Sequence, residues 1–145
     1  MARKRLADRI AAGTAEIVLG DAMALPWEDG HFSVVASVNC LKFVPEPPKA
    51  LSEMSRVLRP DGRLVLTIDK QSDKWGRSGE VDAFGQWQWS VDDARRMIEE
   101  AGFADVSVAD MPTRLGLQFV RGVKRAVPAV GGIAEAPALV GEART

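Results

Sequence analysis

Two short apolar runs separated by a helical stripe leave this chain few folds to choose from. Phe32–Val38 and Leu64–Ile68 are each too short for an ordinary helix. Both are rich in β-branched residues, and turn signals precede them, Asp29-Gly30 and Pro60-Asp61-Gly62. Uninterrupted apolar runs of this kind predict strands buried on both faces, as in a parallel sheet. Between them Ala50, Leu51, Met54, Val57 and Leu58 fall on one face of a helix. Strand, helix and strand in that order predict a right-handed βαβ unit.

The rest of the chain is read outward from that unit. Residues 2–12 predict a short helix with Gly13 as its stop, and Glu16–Leu19 a short strand. A helix of that length needs something to pack on. Pro47 and Pro48 suit the first turn of the central helix, and Pro60 lies just past its end. Ser90 is an N-cap with an acid three residues on, and Gly102 ends the helix that follows. Phe103–Val108 and Leu115–Val123 predict an antiparallel pair of strands. Residues 70–89, carrying Trp75, Phe84, Trp87 and Trp89, form a long connection that either caps the core or serves the function. From Ala126 the chain turns Ala/Pro/Gly/Val-rich without a period, which predicts a flexible tail. The order α-β-β-α-β-α-β-β is an α/β pattern in one domain, residues 1–125.

Composition narrows the function. The net charge of −1 gives no global field toward nucleic acid or an anionic membrane. Arg3-Lys4-Arg5 is the densest basic cluster and reads as a solvated helix face before it reads as a nucleic-acid arm. No apolar run reaches membrane-spanning length, and no secretory pattern opens the chain. Cys40 is the single cysteine, so there is no internal disulfide and no cysteine-rich metal site, and a reducing cytoplasm is expected. No metal site is expected.

Four stretches together resemble one family. They are G-D-A-x-x-L-P (Gly20–Pro26), F-S-V-V-A-S-V-N (Phe32–Asn39), the E-M-x-R-V-L-R-P-D-G-R-L-V-L block (Glu53–Leu66) and the W-S-x-x-x-x-R-x-x-x-E-A-G-F block (Trp89–Phe103). In this order and spacing they are similar to the second half of a class I S-adenosylmethionine-dependent methyltransferase, of the small-molecule, ubiquinone/menaquinone-biosynthesis type. The resemblance implies a Rossmann-like sheet of strand order 3-2-1-4-5-7-6, with Phe32–Val38 as the fourth strand. The fold expected here is α/β, an incomplete version of that sheet, mostly parallel with a C-terminal antiparallel strand.

The resemblance also implies a site. Asp21 and Ala22 follow the family's third strand, where an acid accepts from the adenine amine and a small residue lets a backbone N–H reach the ring. Leu25 and Trp27 would add apolar contact. Ser37 and Asn39, at the end of the fourth strand, would face the methionine portion of S-adenosylmethionine. Cys40, Lys42, Asp69 and Trp75 are substrate-side candidates for a small-molecule methyl acceptor. No residue is a convincing catalytic base. His31, after Asp-Gly, reads as a surface residue.

One departure has consequences. No glycine pair forms the family's G-x-G turn after a strand, and no acid ends a second strand. The expectation is a domain lacking the family's first strand, first helix and second strand, weak or inactive alone. Its open sheet edges would pair with a second copy or with a complementing chain. The alternative is a non-catalytic, methyltransferase-like remnant kept as an interaction subunit.

Overall fold

The computed structural model describes residues 2–69, 79–111 and 116–126. Among the described residues four helices and four strands follow one another: α1 (Ala2–Arg5), α2 (Ala7–Ala11), β1 (Phe32–Val38), α3 (Pro47–Val57), β2 (Leu58–Asp69), α4 (Val91–Glu100), β3 (Phe103–Asp110) and β4 (Leu117–Lys124). A one-turn 3-10 helix, Leu41–Phe43, lies between β1 and α3. The sheet order is β1-β2-β4-β3. β1 and β2 are parallel, and β4 runs antiparallel to both its neighbours. Three strands therefore point one way and β4 alone opposes them. That is the 4-5-7-6 part of the expected Rossmann-like sheet.

The βαβ reading holds in detail. Ala50, Leu51, Met54 and Val57 are the buried stripe of α3, facing Leu64, Leu66 and Ile68 of β2. α4 lies on the same face through Ala94 and Ile98. Ser90 caps α4, its Oγ accepting from the Asp93 N–H at 3.1 Å, and Gly102 ends it at φ 95°. Each fully buried leucine in this layer contributes about 2–3 kcal/mol of apolar transfer.

Pro60-Asp61-Gly62 is not a turn between elements. β2 starts directly at Leu58, and the pairing with β1 jumps from Phe32↔Leu58 to Val34↔Arg63. Three extra residues bulge out of the ladder there, with Asp61 in the left-handed region at φ 61°. A Cβ on Gly62 would sit 2.8 Å from the Arg59 carbonyl oxygen, so the bulge needs that glycine.

Several expectations are corrected. Glu16–Leu19 is not a strand, and among the described residues no ladder partner lies beside it. In the expected order two strands separate that position from the fourth, and a lone strand has nothing to bond. Residues 2–12 are helical in two pieces, α1 and α2, broken at Leu6, and neither buries a residue. Gly13 does stop the second piece, at φ 68°. β1 is not buried on both faces: Val34 is 49% and Val38 65% exposed. It is the sheet's edge, and among the described residues no helix covers the face to which these two point. In β4 the alternation puts Leu117, Phe119, Arg121 and Val123 on one side, but Val120 and Gly122 on the other side face the helices. Leu115 and the tail from residue 127 lie outside the described residues.

Candidate cofactor site

Parallel pairing brings the carboxyl ends of β1 and β2 to the same edge of the sheet, and the polar residues gather there. β1 ends at Val38, and Asn39 takes φ 56°, a left-handed conformation that asparagine tolerates and that turns the chain sharply. Its N–H donates to Thr67 Oγ1 of β2 at 2.8 Å. The turn that follows places Lys42 Nζ 2.5 Å from Asp69 Oδ2, at the end of β2. The lysine side chain is 15% exposed and the aspartate side chain 39%. Trp87 closes this corner: its N–H donates to the Lys42 carbonyl at 2.9 Å and its indole N–H to the Val44 carbonyl at 3.0 Å. Lys42, Asp69, Trp87 and Trp89 line a cavity of about 10 Å³, room for one water.

A second, larger space runs along the open edge of β1. This groove of about 350 Å³ is lined by Leu25, Trp27, Ser37, Cys40, Met54 and Val57 among others. Part of its wall is a loop with no regular structure, Leu25 to Asp29, and two side chains of α3, Arg56 and Glu53, hold it. Arg56 donates from Nε to Glu53 Oε1 at 2.7 Å and from its terminal nitrogens to the Trp27 and Leu25 carbonyls, Asp29 Oδ1 and Glu53 Oε2, at 2.8–2.9 Å. Glu53 Oε2 in turn accepts from the Leu25 N–H at 2.8 Å. The Arg56 hydrogen bond, joined by that of Leu25, holds the Glu53 carboxyl at about 2, well below its usual 4.5, against the opposing cost of burial.

A depressed carboxylate adds stability that is present above its unfolded value and fades as the folded one is approached. The clamp therefore contributes fully above about pH 5 and loses its effect between about 4.5 and 2. Urea midpoints of the wild type and Glu53→Gln should differ at pH 7 and converge only as the pH falls to about 2. A difference that stays constant across this range would contradict the assignment.

The sequence candidates divide among these places. Leu25, Ser37 and Cys40 share the groove, and Lys42 and Asp69 share the corner. Asn39 joins β1 to Thr67, which lines the corner. Asp21 and Ala22 lie in a short turn in which Asp21 Oδ1 accepts from the Met23 N–H at 2.8 Å, and they line neither space. Trp75 lies outside the described residues. Trp89 is buried in the core and Trp87 packs against it, so this part of the long connection caps the core. His31 is exposed, 3.7 Å from Glu28. Among the described residues no cluster of histidine, cysteine or acids could hold a metal ion. The clamp itself was missed: Glu53 and Arg56 stand at helical i,i+3 spacing, but nothing local says that they reach a loop about 30 residues earlier.

A family profile described as "Methyltransferase domain" matches residues 1–66. The ubiquinone/menaquinone biosynthesis C-methyltransferase UbiE of Methylobacterium nodulans is 32% identical over 130 residues, covering 72% of this chain and 51% of that protein. UbiE of Pseudomonas entomophila is 44% identical over 73 residues, 50% of this chain and 28% of that protein. The chain belongs to the class I S-adenosylmethionine-dependent methyltransferases. Matched regions thus span between about a quarter and a half of these relatives' length.

Solved methyltransferase-fold structures agree on the architecture. The Burkholderia thailandensis 1,6-didemethyltoxoflavin-N1-methyltransferase, solved with its substrate and S-adenosylhomocysteine, superposes with a TM-score of 0.68 at 20% identity. It covers 85% of this chain and 56% of that one. The [4+2]-cyclase SpnF superposes with a TM-score of 0.73 at 19% identity, over 87% of this chain and 62% of that one. S-adenosylmethionine is the cofactor of the family. SpnF is a cyclase, so this fold alone does not decide the reaction.

Proposed function

We propose that this chain supplies the adenine-facing and acceptor-facing side of a methyltransferase that acts on a small molecule, and that alone it binds S-adenosylmethionine poorly. The observation that carries this is the gathering of Asn39, bonded to Thr67, and the Lys42–Asp69 pair at the carboxyl ends of two parallel strands. Ligands of open α/β sheets bind at such ends. Asp21 and Ala22 would face the adenine, with Leu25 beside it. Ser37 and Asn39 would face the methionine portion. Cys40, Lys42 and Asp69 would line the acceptor, with Trp75 as a further candidate outside the described residues.

Transfer of a sulfonium methyl relies chiefly on holding donor and acceptor in line. The relatives' name specifies a C-methyl transfer, which here means an electron-rich carbon presented beside Lys42 and Asp69. The unit would be residues 1–125 with a tail beyond, and its single cysteine suits the reducing cytoplasm, where we place it. The affinity is low because no G-x-G turn follows a strand in this sequence, so the backbone N–H groups of that turn are absent from the site. The test is a titration with S-adenosylhomocysteine followed by amide chemical shifts. Changes should concentrate on Asp21–Leu25 and Ser37–Lys42 at millimolar ligand. Amides that stay still there would remove the reading.

A second reading rests on the bare edge of β1. Its seven residues hold no charge and no proline, the devices that usually block edge pairing. This edge would receive a strand from a second copy or a complementing chain, with or without catalysis. Val34→Lys should then abolish self-association in sedimentation at about 100 µM, since it places like charges beside the seam. A wild type that is monomeric at that concentration argues against pairing between copies.

A further inference from the structure

The loop from Leu25 to Asp29 has no ladder and no helix, yet it forms the wall of the groove at the β1 edge. What fixes it is a pair of side chains on α3, Arg56 and Glu53, with Arg56 making most of the bonds. A guanidinium has five N–H donors in a rigid fork. In Arg56 all five are used, three on the loop (the Leu25 and Trp27 carbonyls and Asp29) and two on Glu53. Glu53 completes the circuit by accepting the Leu25 N–H, so one residue of the loop is gripped at both its backbone polar groups. The Arg56 carbonyl also accepts from the Gly30 N–H at 3.0 Å, closing the far end of the loop on the same helix. The fork reaches from α3, whose other face is locked into the core by Leu51 and Met54. The loop is therefore referenced to the rigid layer and not to the groove's contents.

We propose that Arg56 is the positioning residue of the cofactor-side loop, fixing Leu25 and Trp27 before any ligand arrives and so setting cofactor affinity. This rests on the reading of residues 21–41 as the cofactor side. A preorganised loop spares the ligand the ordering that a free one would require. Lysine cannot replace it, because an ammonium offers three donors from one point and cannot span two carbonyls and two carboxylates.

The experiment compares wild type, Arg56→Ala and Arg56→Lys by amide hydrogen exchange and by titration with S-adenosylhomocysteine. In both variants the Leu25 amide should exchange at least about tenfold faster, while Leu64–Ile68 amides in β2 keep their protection. Ligand affinity should fall at least roughly fivefold. In Arg56→Ala, guanidinium at about 20 mM should restore both, and methylammonium should restore neither, a selectivity that general damage to the fold would not show. Unchanged Leu25 exchange overturns the proposal, as does faster exchange with wild-type affinity or a loss that guanidinium does not repair. If Arg56→Ala does not fold, as lost β2 protection would reveal, Arg56→Lys decides alone by the first two readouts. A wild type that shows no ligand-induced shift removes the cofactor reading and this role with it. A wild type that binds, beside an Arg56→Lys that binds equally, removes this role alone.

Discussion

Phe103→Ala should cost about 3–5 kcal/mol and leave the chain largely unfolded at 25 °C. Phe103 opens β3 and is fully buried. Its ring lies in the corner where α4 meets the antiparallel pair, beside Ile98 and beneath Gly122 of β4. A Cβ on Gly122 would sit 3.1 Å from the Phe103 Cβ, so the two backbones approach as closely as they do because one has no side chain. Truncation leaves a cavity that this corner cannot close, since the sheet on one side and α4 on the other are held by their own hydrogen bonds. The chain has little reserve with which to absorb the loss. One face of its sheet carries exposed Val34 and Val38, and α1 and α2 add no buried residue. Urea denaturation followed by circular dichroism measures the effect directly. Val38→Ala, at a position 65% exposed, is the control and should stay within about 0.5 kcal/mol of wild type. A Phe103→Ala chain within about 1 kcal/mol of wild type would mean that the core is not where the structure puts it.

Adding a separate polypeptide that carries the family's first two strands and its glycine-rich loop should raise cofactor affinity at least ~100-fold, about 2.7 kcal/mol. The gain has two sources. On the proposed reading, backbone N–H groups of that glycine turn would approach the ligand closely and an acid after the next strand would take its ribose hydroxyls, adding to the contacts proposed for Asp21–Leu25 and Ser37–Asn39. The incoming strand would also pair with β1, whose outer backbone groups have no ladder partner among the described residues. Protection of the Phe32–Val38 amides should therefore rise in step with affinity. The groove of about 350 Å³ beside β1 should fill on the same titration. Affinity that rises with no change in β1 protection would place the added segment elsewhere.

The central layer was legible because its signals are local. β-branched residues in Phe32–Val38 and Leu64–Ile68, the stripe through Leu51 and Met54, and the Ser90 cap each declare an element within a few residues. What failed were statements about neighbours. Glu16–Leu19 has a strand's composition but no strand to bond among the described residues, and Val34 and Val38 have a core's composition on a face that no described helix covers. Composition says what a residue would suit, whereas burial depends on what else is present. The same divide runs through the site. Lys42 and Asp69 were each legible as candidates, but their 2.5 Å pairing depends on the parallel register of β1 and β2. The Arg56 clamp was invisible because two of its four partners are backbone carbonyls, which every residue possesses, and the Asp29 carboxylate is distant in sequence.

Calorimetric titration of the chain with S-adenosylhomocysteine at pH 7 tests the central claim most directly. The proposed one-walled cleft predicts a Kd weaker than about 100 µM, a binding free energy no more favourable than roughly −5.5 kcal/mol. A Kd in the low micromolar range for the chain alone would show that these residues already enclose the cofactor, and the account would be wrong.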